Sequence, residues 1–441
     1  MKRVVIALVA ALVAFPLFAQ QLDNRAEWRF TKSKSFKQSK EYLETGVFPA
    51  VEGIKEAGIS FRRKGKLAEI ALNDKGYPAA RSKGGDYWLF EVPVKVQEGT
   101  VVDLFIPFIG NEGERNNFVL EYNDGKRWVE VVQARTTTAH KHPERLWQAV
   151  RLENLTPKCN KVAVRLRQLD KQEIQSAIAC LSPRGQRPQI VIYDNAVPRD
   201  TLKMLFIGNS YTYYHTYPVI FKEIAWREGH YADCNIFVSG GYTMKRHMAN
   251  QHCMEKVDKG GYDYVMLQDQ SILPTLNGTA DDAGSATDMV KMVKRVRKSS
   301  PNAKVSLEIT WGRKFGNNNF GQYEKYVSIY PQFYADYDAM QNRLIEVMTA
   351  EAEQNNAMVT PVGYAWQIVM HERPEINLYH TDNHHQSYAG SYLSAAVAYL
   401  TVYREKFGAN PADCKLDSET AAYLRSVAER VVLGGEKWVE K

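Results

Sequence analysis

Near the C-terminus the run His380-Thr381-Asp382-Asn383-His384-His385-Gln386-Ser387 sets an aspartate three residues before a histidine on one short segment. A weak nucleophile needs that pair: an imidazole to take its proton, and a carboxylate to fix the imidazole's tautomer and orientation. A nucleophile of the right kind is Ser210, in Ile207-Gly208-Asn209-Ser210-Tyr211. On a turn out of a strand, its hydroxyl projects at the sheet edge and its own N–H is free to donate to an oxyanion. Two more segments offer oxyanion donors. Gly241, in Val238-Ser239-Gly240-Gly241-Tyr242, lets a backbone amide approach a ligand closely. Leu267-Gln268-Asp269-Gln270-Ser271 carries side-chain amides at Gln268 and Gln270.

Each piece also has an ordinary reading. Gly-Asn-Ser and paired glycines are common turns, and a polar strand end can simply face water. The His-rich segment could hold a metal ion, but the chain shows no obvious fourth ligand elsewhere. Between the adjacent histidines, the Asp-x-x-His spacing selects His385 as base and leaves His384 as a solvated or substrate-facing neighbour. Asn209 and Trp311 are the other candidate substrate contacts. Trp311 opens a stretch to Tyr330 rich in Gly, Asn and aromatic residues, the types that stack on sugar rings and bond their hydroxyls. A loop that long in a compact domain is often functional, though a structureless insertion is an equal reading. His247, His252 and His371 read as structural or surface residues.

The elements that must position these residues follow from periodicity. From Leu202 onward apolar strands alternate with helices. The strands are Met204–Ile207, Asn235–Val238, Tyr264–Leu267, Val305–Trp311 and Met358–Val362; the helices are Pro218–Glu228, Asp281–Lys298, Tyr334–Glu353 and Ala389–Tyr403. Five strands separated by helices predict a parallel, doubly wound α/β sheet, whose sites lie at the carboxyl ends of the strands. The candidate residues directly follow the first, second and third strands and precede the last helix.

From Gly58 to Tyr193 the chain instead reads as all-β, a two-sheet sandwich. Phe118–Tyr122 and Trp128–Val132, joined through Asn123-Asp124-Gly125-Lys126, form a hairpin signature. Leu22–Ala57 shows no clear period. Lys2-Arg3, an apolar run from Val4 to Ala19 and a small residue at its end predict an export signal over 1–20. The run is shorter than the roughly 20 residues a membrane helix needs, so no stable membrane insertion is expected. The resulting division is a signal at 1–20, a β-sandwich at 21–195 and an α/β domain at 196–441. In an oxidising compartment Cys159 and Cys180 could pair; buried free thiols are as compatible with five cysteines.

With 57 Lys+Arg against 50 Asp+Glu among 441 residues, the +7 balance falls to +5 without Lys2 and Arg3, so no nucleic-acid partner is expected. The 44% apolar and 24% charged residues exclude a disordered, collagen-like or coiled-coil chain.

The order Ser, Gly, side-chain amide, Asp-x-x-His over Leu202–Phe407 resembles the SGNH (GDSL-like) hydrolase superfamily, mostly esterases on a flavodoxin-like fold. On that resemblance Ser210 matches the nucleophile, Gly241 the second-block oxyanion glycine, and Asp382 and His385 the Asp-x-x-His block. The usual third block, Gly-x-Asn-Asp, is replaced by Leu-Gln-x-x-Ser, similar to a less characterised branch found in secreted bacterial proteins. There Gln268 takes the amide role, with Gln270 the second choice. The region around Phe118–Val132 and Val162–Arg167 resembles jelly-roll modules of the galactose-binding type. Together these imply a secreted serine esterase, needing no metal or organic cofactor, that removes acyl groups, acetyl foremost, from polysaccharide or oligosaccharide. The rival expectation is a non-catalytic glycan-binding protein that keeps the scaffold.

Overall fold

The computed structural model describes residues 25–28, 47–50, 52–54, 56–72, 77–111, 114–136, 144–156, 159–178, 187–193, 200–318 and 320–438. The segment expected to be an export signal lies outside them. So does Cys180, and with it the choice between a pairing to Cys159 and free thiols.

Five parallel strands form the sheet of the C-terminal half: β1 (Asp200–Gly208), β2 (His230–Val238), β3 (Tyr264–Leu267), β4 (Lys304–Glu308) and β5 (Met358–Thr360). Their order is β2-β1-β3-β4-β5, which puts the apolar run Met204–Ile207 inside the sheet, between β2 and β3. Ile207 lies opposite Phe237 of β2 and Leu267 of β3. These three strands therefore stop level with one another, and the segments that follow them open onto one edge.

The helices that matter for the site are α1 (Ser210–Tyr213), α2 (Tyr217–Arg227), α3 (Ser285–Ser299), α4 (Tyr337–Gln354), α5 (Val362–Glu372), α6 (Tyr388–Tyr403) and α7 (Ser418–Val432). Helix α6 packs on α2 and α7, while α3 packs with the short helices 244–248 and 251–259. Nearly every side chain of α6 is buried, so it has no polar stripe and reads as continuous apolar sequence.

Strands β1 and β2 start earlier than expected, at Asp200 and His230, and α4 starts later, at Tyr337; three further boundaries differ for local reasons. Helix α3 begins at Ser285 rather than Asp281, because Asp282 bonds the N–H groups of Gly278 and Gly284 and Gly284 is left-handed (φ +75°); such side-chain turns compete with helix. Strand β4 ends at Glu308, and Ile309–Trp311 continue as irregular backbone. Val362 belongs to α5, which starts straight after β5 with no polar cap to mark it.

The described residues between 25 and 193 build two antiparallel sheets of eight and seven strands. Val102, Leu104 and Ile106 of one sheet share a core with Phe61, Trp88, Phe90 and Val164 of the other. The anticipated hairpin is present, with a bulge at Leu120/Glu121 and Gly125 at φ +96°. The unassigned N-terminal stretch contributes Arg25–Glu27, which pairs with Gln189–Tyr193.

This layer is packed against the parallel sheet. Phe105 and Trp147 lie in the apolar core of the C-terminal half. Lys222 on α2 reaches across to Asp103, with Nζ 2.7 Å from Oδ1 and both side chains buried. Burial alone would lower the Lys222 pKa, but the Asp103 carboxylate more than offsets this and holds the lysine charged. Arg25 pairs with Glu223 beside it. No helix among the described residues is long and apolar enough to cross a membrane.

Candidate active site

Ser210 is the first residue of α1, immediately beyond β1. At that position a backbone N–H has no intrahelical carbonyl. The sharp entry depends on Gly208: a Cβ there would lie 2.1 Å from Thr212 Oγ1 and 2.7 Å from Gln268 Oε1. Asn209 caps the helix, its Oδ1 accepting from Tyr211 N–H at 3.1 Å. Its Nδ2 donates to the carbonyls of Tyr242 and Asp269, both at 3.1 Å. Asn209 therefore straps together the ends of β1, β2 and β3. It borders the cleft, but both of its donor hydrogens are committed, so its amide is not a substrate contact.

The histidine segment is closed into a tight loop. His380 N–H donates to His385 C=O at 2.8 Å, and Asn383 at its tip is left-handed (φ +59°). Gln386, fully buried, donates from Nε2 to Tyr211 C=O at 2.6 Å and so ties this loop to the helix that carries Ser210. Trp311 Nε1–H donates to His384 C=O at 2.9 Å. Its ring is stacked between Tyr211 (4.4 Å) and Trp366 (4.1 Å) and has no exposed surface. This corrects the expectation for Trp311. It supports the loop from beneath and does not face substrate.

Asp382 and His385 are in direct contact, with His385 Nδ1 2.7 Å from Asp382 Oδ2. Asp382 Oδ1 accepts from the N–H groups of His384 (3.1 Å) and His385 (2.9 Å). Burial works against the Asp382 charge, but the hydrogen bonds from His385 outweigh it and hold the carboxyl well below its usual range. An ionised Asp382 requires the proton on Nδ1, which leaves Nε2 as an acceptor. The ring is held flat on Tyr214 at 4.0 Å and edge-on to Tyr211 at 5.6 Å. His384 Nδ1 has no hydrogen-bond partner, and burial pushes its pKa down to about 3, with Arg313 adding to the effect. It is therefore neutral at ordinary pH. The ligating atoms of Asp382, His384 and His385 lie within 4.8 Å of one another, a spacing a metal ion could use. The Asp382–His385 hydrogen bond occupies two of those atoms in the arrangement of a general base.

Ser210, Gly241, Gln270, His384 and His385 line one cavity of about 340 Å³, together with Ser271, Arg313, Tyr213 and the residues that brace them. Ser210 Oγ makes no hydrogen bond to any described residue; such contacts are often long before substrate binds. Gly241 is left-handed (φ +66°), a backbone only glycine adopts at no cost, and no carbonyl among the described residues accepts its N–H.

The two glutamines behave differently. Gln268 is buried away from the cavity. Its Oε1 accepts from Asn209 N–H and Thr212 Oγ1–H, both at 2.9 Å, and its Nε2 donates to the Asp269 carbonyl. Gln270 lines the cavity; its Oε1 accepts from Ile272 and Leu273 N–H at 2.6 and 2.9 Å, and its NH2 group bonds to no described residue. The geometry reverses the preference for Gln268, whose amide is spent on joining β3 to β1. Asp269 between them is also a brace, accepting from Met244 N–H, Gln270 N–H and Ser285 Oγ.

Sequence reasoning passed over Gln386 and Arg313. Arg313 stands two residues past Trp311, in the segment after β4, so the strand-end rule that marked the other positions extends to it. The stretch it opens is built rather than structureless: Phe320 packs on Ile272, Tyr334, Met340 and Leu344. His247 is buried between Phe237 and Tyr242, His252 pairs with Glu144, and His371 with Asp338, all apart from the cavity.

No protein-family model and no curated protein matches the chain. It is similar to a solved DUF4886 family protein from Bacteroides uniformis (17% identity, 55% of this chain and 98% of that one, TM-score 0.46). It is also similar to a family two carbohydrate esterase from Clostridium thermocellum, solved with cellohexaose (14% identity, 78% and 98% coverage, TM-score 0.31). A peptidoglycan O-acetylesterase is a third (11% identity, 79% and 83% coverage, TM-score 0.37). Likeness this distant adds no weight to the reading of the cleft, which stands on its own geometry.

Proposed function

We propose that the protein is a secreted serine esterase of the SGNH type that removes acyl groups, acetyl foremost, from a glycan. The observation that carries this is the shared cavity: Ser210 at a helix start and a histidine braced by an ionised aspartate face one space with unpartnered N–H donors. In the proposed cycle His385 Nε2 takes the Ser210 proton as Oγ attacks the ester carbonyl. Asp382 then stabilises the imidazolium. The N–H groups of Ser210 and Gly241 and the Gln270 amide hold the oxyanion, the alkoxide leaves with the proton from His385, and water releases the acyl-enzyme.

The antiparallel layer, which falls within the 21–195 division, is read as a jelly-roll-like module that presents polysaccharide to the 196–441 domain. A fluorophosphonate probe tests the reading. Covalent labelling at Ser210 is the expected result. Glycan binding with no labelling would favour a non-catalytic lectin-like protein.

The glutamine assignment has its own test. Gln270→Ala is expected to lower kcat/KM for an aryl acetate by about 100-fold, the usual cost of one oxyanion donor, with melting temperature nearly unchanged. Gln268→Ala should instead destabilise the fold by about 1–3 kcal/mol, because it orphans the buried Asn209 N–H. Thermal melts beside steady-state kinetics separate the two.

A further inference from the structure

We propose that the cleft is built for an ester on an acidic sugar, and that Arg313 binds the carboxylate of that sugar. The inference rests on the esterase reading of the same site and adds the class of substrate. Arg313 lines the cavity and is only 4% exposed. Its Nε and Nη1 groups are buried with no hydrogen-bond partner. Its one side-chain hydrogen bond, from Nη2 to Ser271 Oγ at 3.4 Å, is long, and Phe320 lies 5.6 Å from the guanidinium. No carboxylate among the described residues pairs with it.

A guanidinium is always charged, and burying it without a counter-ion is costly. Other buried or half-buried arginines of this chain are paired with acids: Arg25 with Glu223, Arg165 and Arg167 with Glu121, and Arg425 with Asp413. Buried Arg145 and half-buried Arg297 donate instead to backbone carbonyls, of Val238 and of Asn355 and Asn356, whereas Arg313 has neither an acid nor a carbonyl, and it is at the candidate active site.

The rest of the lining makes the missing partner an anion. Among the described residues no carboxylate lines the cavity, and Arg313 is its one permanently charged side chain. Asp382, the nearest acid to the two histidines, is already satisfied by His385. His384 borders the same space, with its Nδ1 buried 3.5 Å from Asp382 Oδ1. A planar carboxylate beside the scissile ester, as on a uronic acid, would satisfy the guanidinium through charge-assisted hydrogen bonds. Acetyl itself carries no charge before hydrolysis, so the anion must belong to the sugar.

The test is calorimetric binding in a Ser210→Ala background, with an O-acetylated galacturonate trisaccharide and an O-acetylated xylotriose as probes. The acidic probe is expected to bind at least about 10-fold more tightly. Arg313→Gln should cut that preference by about 10- to 100-fold, the worth of a hydrogen bond to a charged group. Arg313→Lys, which keeps the charge but not the fork, should retain part of it. Equal affinity of the two probes, or equal losses for both in Arg313→Gln, would overturn the proposal. The preference of the Ser210→Ala protein alone decides the matter if the arginine variants do not fold. An absence of fluorophosphonate labelling would defeat the esterase reading without touching this binding result.

Discussion

Ser210→Ala is expected to reduce kcat on an activated acetyl ester by at least about 10⁴-fold, down to whatever the oxyanion donors and binding alone supply. The change should leave the fold alone. Ser210 Oγ bonds to no described residue, and the helix cap at this turn comes from Asn209 rather than from the serine. Melting temperature should therefore stay within a degree or two of the parent, which separates lost chemistry from lost structure. Asp382→Asn should cost about as much, near 10⁴-fold, by allowing the wrong imidazole tautomer. It removes a carboxylate that also accepts two backbone N–H groups, so some loss of stability should accompany it. Stopped-flow or steady-state release of an aryl leaving group measures both. Full activity in Ser210→Ala would end the nucleophile assignment.

The same residues show what could be read from the chain alone. The strand ends, the spacing of Asp382 and His385 and the glycine at 241 were legible because each depends on local sequence: apolar runs, a three-residue offset, a left-handed turn. Gln268 and Gln270 were not separable in that way. They stand two apart after the same strand, and only the tertiary contacts of Gln268 with Asn209 and Thr212 show which amide is already engaged. Trp311 misled for a related reason. An aromatic at a strand end suits a sugar platform and a buried stack equally well, and the deciding neighbours, Tyr211 and Trp366, are remote in sequence. Gln386 carries no motif, yet it fastens the loop of Asp382 and His385 to the helix that starts at Ser210. Side chains that do chemistry tend to sit in recognisable local patterns. The ones that hold them in place are chosen by partners elsewhere in the chain.

Lys222→Met is expected to destabilise the protein by about 3–5 kcal/mol at neutral pH, the cost of removing one partner of a buried ion pair. Asp103 sits at the junction of the antiparallel layer and α2, its pKa pushed up by burial and opposed by Lys222. Without the ammonium, only the Trp147 side chain is left to oppose that burial. The pH dependence then has a definite sign. A carboxyl whose folded pKa lies above its unfolded value of about 3.9 is penalised as pH rises between the two. The deficit of Lys222→Met should therefore shrink towards pH 4 and be largest at neutral pH, when measured by urea unfolding at several pH values. Lys222→Met combined with Asp103→Asn should be more stable than Lys222→Met alone at pH 7, since the uncompensated charge is gone. A deficit independent of pH would mean that the loss comes from packing of the lysine stem beside Trp147 and Tyr231 rather than from charge. Because Phe105 and Trp147 are buried in the core of the C-terminal half, loosening this junction should also disturb α2, which follows the Ser210 turn within a few residues. If the proposed esterase activity is present, its fall in step with the fraction unfolded would then be the expected secondary effect.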